Sequence, residues 1–406
     1  MADPSFALVV PAEFKDHYQE SMKDQGFEIA GLLNWAQAMG TPTAIHTIDD
    51  DLNSYTHIIT NVSSTECEYI PVLQTLYPDK TIIGCLDYSF EILEQYGNSA
   101  LIHRMITNLA KADFVFSVHP HQQEWLNAVN SDMNATHIPH PVDIDGVNTF
   151  AAKVKEPTGP PRVVLMWHQY DDKYFQGLFL LRQVERELIA EGKIESLHIT
   201  IAGLKPDILA LGKSPTMVPN CRSCGAQGTG LPHPPILSMG VPQIPPERLG
   251  IYLGPPREGF TPTPAGDLFL QRGLVNLTNY GHKHFSFDSF VPYTSPAEWM
   301  ASLKTSALVL DLNAIHSIGR TGIESAALGI PYLGPRCVLS ATELFPEICF
   351  SLDKPGELKA NLKKLLSNSK YRANVGNMGK RRVKEFGFAR AREKMAKMLK
   401  RARQKN

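Results

Sequence analysis

Residues 307–334 confine this chain to an α/β architecture, because they write a complete strand–loop–helix–strand unit in one short stretch. The apolar run 307–312 (ALVLDL) has the length and composition of a buried strand. Gly319, Thr321 and Gly322 suit a loop that opens a helix, Gly329 is a natural residue just past its end, and Pro331 forbids its continuation. Residues 330–333 then supply the next strand. A helix N-terminus behind a glycine loop exposes unpaired N–H groups and a partial positive charge, a place suited to phosphate. Glu324 lies about one turn into that helix, where a carboxylate can accept hydrogen bonds from two sugar hydroxyls. The combination suggests a nucleotide-sugar site. By itself the unit reads equally well as one more βα repeat whose Glu324 caps or solvates its helix.

The rest of the chain repeats this rhythm. Short apolar runs at 6–10, 56–61, 81–86, 113–118 and 136–138 read as strands, with helical stretches between them at 29–39 and 101–110. Strands alternating with helices argue for a parallel, Rossmann-like sheet. Residues 146–161 are rich in Lys, Pro and Gly and read as a linker. A second α/β unit opens with a strand at 162–167, a helix at about 175–190 and a strand at 198–203. The region from about 205 to 266 then holds 13 of the chain's 30 prolines, which excludes a long helix or a central strand and marks an insertion. Such a segment is either a structural flap or a loop that overhangs the cleft and recognises an acceptor.

A length of 406 residues accommodates two domains of ordinary size. No apolar run approaches the ~20 residues of a membrane helix, and the start (MADP) has neither a basic nor an apolar leader region. Six cysteines scattered along the chain suit reduced thiols, so the expected setting is cytoplasmic. Net charge is −1, yet residues 380–406 hold 12 Lys/Arg against 2 Asp/Glu. The body is therefore acidic and the tail basic. In that tail Phe388, Ala391, Met395, Met398, Leu399 and Ala402 fall at spacings of three and four, the stripe of an amphipathic helix. Its cations can serve an anionic membrane surface, which would make the protein peripheral to a membrane, or nucleic acid.

The segment IGRTGIESAALGIPYLG (318–334) resembles the signature of the glycosyltransferase group 1 family, retaining enzymes of the GT-B fold. That signature has two glutamates eight positions apart around a glycine loop. Glu324 matches the second, followed by Ser325, Ala326, Ala327 and then Gly329, Ile330 and Pro331, while the first falls on His316. The first half is similar to the same family at KADFVFS (111–117), a strand ending in a serine beside the cleft, and at IPHPVD (138–143), the interdomain turn. The resemblance implies two Rossmann-like domains facing across a cleft: 1–145 on the acceptor side and 162–378 on the nucleotide-sugar side. The 146–161 linker joins them, the Pro-rich insertion lies within the second domain, and a basic C-terminal helix follows at 379–406. In the family this last helix crosses back onto the first domain.

The resemblance also assigns roles. Glu324 would hold the ribose; Gly319, Arg320, Thr321 and the helix start would hold the diphosphate. Lys173 falls near the family's phosphate-binding lysine, and His168 stands where the family keeps a partner arginine. The base would lie against Val291, Pro292 and Tyr293. His316 would face the donor sugar. Asp87 follows the strand 82–86 and points into the cleft by the rule for parallel sheets, where it can orient or deprotonate the acceptor hydroxyl. His119, just after the next strand, is a second candidate, and retaining transfer also allows the leaving phosphate to take the proton. The expected catalytic set is thus Asp87, His119 and His316. No metal is expected: Cys221, Cys224 and His233 offer three ligands where a structural zinc wants four. No cofactor is expected beyond the nucleotide-sugar co-substrate, with a UDP-sugar favoured. The expected activity is a hexosyltransferase acting on a glycan or lipid-linked hydroxyl. Transfer to hydroxymethylated DNA bases and donor binding without catalysis are the alternatives.

Overall fold

The computed structural model describes residues 4–12, 15–16, 34–40, 45–61, 68–87, 99–155, 159–166, 174–202, 288–291 and 296–403. The Pro-rich insertion, Cys221, Cys224 and His233 lie outside them.

Two wholly parallel sheets organise the chain. The first contains β1 (Phe6–Val9), β2 (Ile45–His46), β3 (His57–Asn61), β4 (Thr81–Leu86), β5 (Phe114–Ser117) and β6 (Thr136–His137), in the order β2-β1-β3-β4-β5-β6. Helices α1 (Asn34–Met39), α2 (Tyr69–Leu76), α3 (Ser99–Leu109) and α4 (Pro120–Val129) connect and cover it. All five residues of β3 (HIITN) are buried, polar His57, Thr60 and Asn61 included, as befits a parallel strand covered on both faces. Its partner β4 is buried from Ile82 onward, in register Ile58 to Ile82 and Asn61 to Cys85.

Helix α5 (Ile144–Ala151) leads to the second sheet, so residues 146–151 of the expected linker form part of a helix. Asp143 caps it by accepting the Gly146 N–H at 2.9 Å, and Val147 and Ala151 pack into the second core. That core surrounds β7 (Arg162–Met166), β8 (His198–Ala202), β9 (Ser289–Val291), β10 (Leu308–Leu310) and β11 (Tyr332–Leu333), in the order β11-β10-β7-β8-β9. Helix α6 (Tyr174–Ala190) follows β7, α7 (Pro296–Lys304) follows β9, and α8 (Arg320–Leu328) lies between β10 and β11. The chain then adds α9 (Leu339–Leu344), α10 (Pro355–Ser367), α11 (Ser369–Arg382) and α12 (Phe388–Arg403).

Strand order reverses between β7 and β10, because the chain builds outward from β7 first through β8 and β9 and then through β10 and β11. A crevice opens outside the carboxyl ends of two strands at such a switch point. The residues after β10 and the start of α8 occupy it here. Gly329 terminates α8 in the left-handed conformation, with φ of 74°, and its N–H returns to Ala326 O.

Helix α12 returns to the first domain. Ala391, Met395, Met398 and Leu399 are buried with Trp35, Ala36, Met39 and Phe116, and Phe388 packs at the edge of the same cluster. The apolar stripe thus serves internal packing and is not available to lie in a bilayer. Part of the tail's charge is neutralised locally, since Arg390 pairs with Glu385 and Glu393, and Lys397 with Glu393. Two strands of chain pass side by side between the domains: Val142 N–H donates to Phe386 O at 2.8 Å, and Val142 and Gly387 form a parallel bridge. Among the described residues no helix is long and apolar enough to cross a membrane.

Candidate functional site

The carboxyl ends of the two sheets face each other, and the loop after β10 reaches across, with His316 against His119 and Ile318 at the edge of the first core. Asp311 is buried at its start, where Oδ1 accepts the Asn313 N–H at 2.8 Å and Oδ2 accepts the Tyr332 hydroxyl. Burial, then the Asp311 charge beside it, pushes the Tyr332 phenol well up, so its proton stays in place as a donor. Asn313 continues the chain of contacts: Oδ1 accepts the Ile315 N–H at 3.0 Å and Nδ2 donates to Ser317 Oγ at 3.1 Å. Backbone bonds from Leu339 N to Ser317 O and from Ser340 N to Ile318 O fasten the far end. A loop tied at each step holds its side chains in fixed places, as a binding site requires.

Gly319 precedes α8 with φ of 67°, a conformation that favours glycine. A Cβ there would also sit 2.3 Å from Val338 Cγ1. The residue is therefore dictated twice, by backbone and by space. Arg320 follows at the helix start and is exposed, and its positive charge acts on Asp87 and His140 of the opposite domain. Thr321 is half-buried beside it. Glu324 is placed differently from the open carboxylate that the sequence suggests. It is 3% exposed, and its Oε2 accepts the Trp299 indole N–H at 2.7 Å. The reason is packing: residues 322–328 of α8 are all buried, so position 324 faces the interior between α7 and α8.

Across the cleft, β4 delivers Asp87 and β5 delivers Ser117 and His119. Ser117 is fully buried and turns the chain, accepting the His119 N–H at 3.2 Å and donating to His119 O at 3.1 Å. His119 then starts α4, whose next residue is Pro120 at a position where a missing N–H costs nothing. Its ring lies 6.2 Å from that of His316 on the other domain, and the His121 ring lies 5.2 Å from His316. Three imidazoles thus meet where the domains face, with the His316 ring edge-on to the other two. Among the described residues no group of three or more His, Cys, Asp or Glu is placed to hold a metal ion.

Asp87 has a neighbour that sequence reasoning missed. His140, in the turn after β6, is fully buried, and its Nε2 lies 3.8 Å from Asp87 Oδ1. Burial pushes the Asp87 carboxyl up to about 7, against the pull of the Arg320 charge. Burial, reinforced by Arg320, holds His140 down at about 3. His121, Trp299, Asp311 and Asn313 are further members of the site that carry no local signature in the sequence.

Of the expected site residues, the structure gathers Asp87, His119, His316, Gly319, Arg320 and Thr321 at the facing strand ends and places Glu324 behind them. Val291 closes β9 in register with Ala202. Lys173, His168, Pro292 and Tyr293 lie outside the described residues.

No family model matches the sequence, and no curated protein is similar to it at the sequence level. Solved structures do match. HepE of Anabaena, solved in complex with UDP and glucose, superimposes with a TM-score of 0.56 at 9% identity, over 98% of this chain and 100% of its own. Sucrose-phosphate synthase from Thermosynechococcus elongatus gives 0.54 at 13% identity, over 87% of this chain and 75% of that one. A trehalose-6-phosphate synthase, studied for enzymatic glycosyltransfer with retention, gives 0.54 at 10% identity, over 91% and 76%. Two parallel sheets with facing carboxyl ends, a switch point at β7 and β10, a final helix returned to the first domain and this set of neighbours establish one architecture: the chain has the GT-B fold.

Proposed function

We propose that this protein is a nucleotide-sugar-dependent glycosyltransferase that moves a hexose to a hydroxyl acceptor with retention of anomeric configuration. The observation that carries this reading is the tied loop 311–319 and the start of α8, set at the switch point of the second sheet and opposite Asp87 and His119 of the first. A diphosphate in that position meets the positive end of α8 and the exposed Arg320, both of which favour the charge that develops as the nucleotide leaves. Thr321 adds a hydroxyl. Lys173 and His168 are proposed to complete the anion site, and Val291, Pro292 and Tyr293 to receive the base. The sugar then lies by His316, and the acceptor enters past Asp87 and His119. Glu324 is proposed to reach the ribose from behind, with Trp299 fixing its carboxylate. Closure of the cleft excludes water from the donor.

A UDP-sugar is the favoured donor, in keeping with the UDP and glucose of the HepE complex and with the UDP-forming trehalose-phosphate synthase from Burkholderia xenovorans, which has a similar fold. No metal or other cofactor is called for by this reading. The acceptor is a glycan or a lipid-linked hydroxyl, met at the cytoplasmic side. The test is turnover: UDP-glucose and related donors are incubated with glycan, lipid-linked and hydroxymethylated-DNA acceptors, and the product anomer is read by proton NMR. Transfer with the donor's own configuration supports the proposal, transfer to DNA moves the acceptor assignment, and an inverted product refutes retention.

A further inference from the structure

We propose that Asp87 and His140 share a single proton, with Asp87 held as the neutral carboxylic acid and His140 as the positioning residue that accepts its hydrogen bond.

The argument starts from the tautomer. His140 Nδ1 lies 3.0 Å from the carbonyl oxygen of Pro141, which can only accept, so Nδ1 must carry a hydrogen. In the neutral ring Nε2 is then an acceptor. The same Pro141 carbonyl takes a second hydrogen bond from Asn34 Nδ2 at 3.2 Å, and Trp35 packs 6.4 Å from the imidazole, so the ring is fixed on two sides. Nε2 and Asp87 Oδ1 face each other at 3.8 Å, both enclosed, and neither has another hydrogen-bond partner among the described residues. At 3.8 Å the two atoms stand just outside hydrogen-bond range, and a proton on one of them, with a closing of roughly 1 Å, would satisfy both buried groups at once.

The surrounding charges decide where it resides. Arg320 disfavours a cation on His140, and Cys85, on the strand that delivers Asp87, is a thiol that burial keeps protonated and uncharged. Arg320 favours the Asp87 carboxylate as much as it disfavours the imidazolium, so burial, which penalises both charged forms, decides: the neutral pair with the proton on the carboxyl is the cheaper form. The raised Asp87 and lowered His140 affinities agree with that placement.

What the neutral acid does depends on the glycosyltransferase reading. An ionised Asp87 would repel an incoming diphosphate and would compete for Arg320. The protonated form leaves Arg320 to the donor and presents the rest of the carboxyl, 14% of the side chain being exposed, as a hydrogen-bonding group for the acceptor hydroxyl. Asp87 then orients the acceptor rather than deprotonating it.

The test uses the full-length, ligand-free protein, so its outcome is separate from whether any donor binds. Ring-15N histidine labelling reports the state of His140 by long-range NMR correlation, and infrared difference spectra between wild type and Asp87→Asn report a protonated carboxyl. The expected result at about pH 6 is a neutral His140 carrying its hydrogen on Nδ1, together with an acid carbonyl band that disappears as pH rises through about 7. A doubly protonated His140 at that pH, or a wild-type spectrum without an acid band that Asp87→Asn removes, overturns the proposal.

Discussion

Replacing Gly322 by alanine sets helix propensity against packing, and the structure fixes the sign. In an open helix the exchange gains about 1 kcal/mol. At position 322 the new Cβ would lie 2.1 Å from Ser340 Oγ, 2.8 Å from Ser340 Cβ and 3.0 Å from Tyr332 Cδ1. The hydroxyl can rotate away, but the serine Cβ moves only with the backbone of α9. Overpacking of this kind costs about 3 kcal/mol at the upper end of its usual range, so the net loss is about 2 kcal/mol. Gly356, in the first turn of α10, has nothing within 4 Å of a built Cβ and serves as the control. Alanine there should stabilise by about 0.5–1 kcal/mol. Thermal unfolding of the two variants should shift in opposite directions, with Gly322→Ala lowering the midpoint by roughly 4–8 °C. Adding Ser340→Gly should recover part of the Gly322→Ala loss although it is destabilising alone. A Gly322→Ala protein as stabilised as Gly356→Ala would refute the packing argument for the loop that holds the site.

Other perturbations probe separate parts of the account. Trp299→Phe removes the donor to the buried Glu324 carboxylate and should cost about 1–3 kcal/mol, read by chemical denaturation. Met395→Ala or Met398→Ala should each cost about 2–5 kcal/mol and speed hydrogen exchange in α1, which packs against the same residues; unchanged exchange there would contradict the docking of α12. For pH, the Asp87 carboxyl rises from 3.8 unfolded to about 7 folded, so the native state holds the extra proton and stability falls as pH climbs through that window. His140 drops from 6.5 to about 3, so its contribution is lost as pH falls below 6.5. Asp87→Asn should therefore gain on wild type as pH is raised from about 4 to 8, by at most ~4 kcal/mol, and a constant difference across that range would count against the raised carboxyl.

Much of the fold was legible because parallel strands buried on both faces leave continuous apolar runs. The run 81–86 coincides with β4, and of the run 198–203 the described part, His198–Ala202, is β8. Gly329 ends α8 as the Gly-Ile-Pro sequence predicts. β2 was not visible, since two residues carry no period. The helix at the start of the 146–161 segment was hidden for a related reason: Lys, Pro and Gly cluster at the segment's far end and obscured the helical start capped by Asp143. Within the site, Asp87 and His119 were findable because they follow strands, and the Gly319–Arg320 pair because a glycine loop there opens a helix. Trp299 was not, because it meets Glu324 across 25 positions and two helices, a relation set by packing alone. His140 reads as part of a turn, and only the fold brings it to Asp87.

The most direct test of the central claim is calorimetric titration of UDP-glucose, with GDP- and ADP-sugars alongside, into wild type and Arg320→Ala. Arg320 is exposed, so its removal leaves the core intact. Saturable binding of one nucleotide-sugar that weakens at least tenfold in the variant is the predicted result, corresponding to about 1.4 kcal/mol of lost binding energy. A folded wild type that binds none of the donors, or a variant that binds as tightly as wild type, would contradict the placement of the diphosphate at the start of α8.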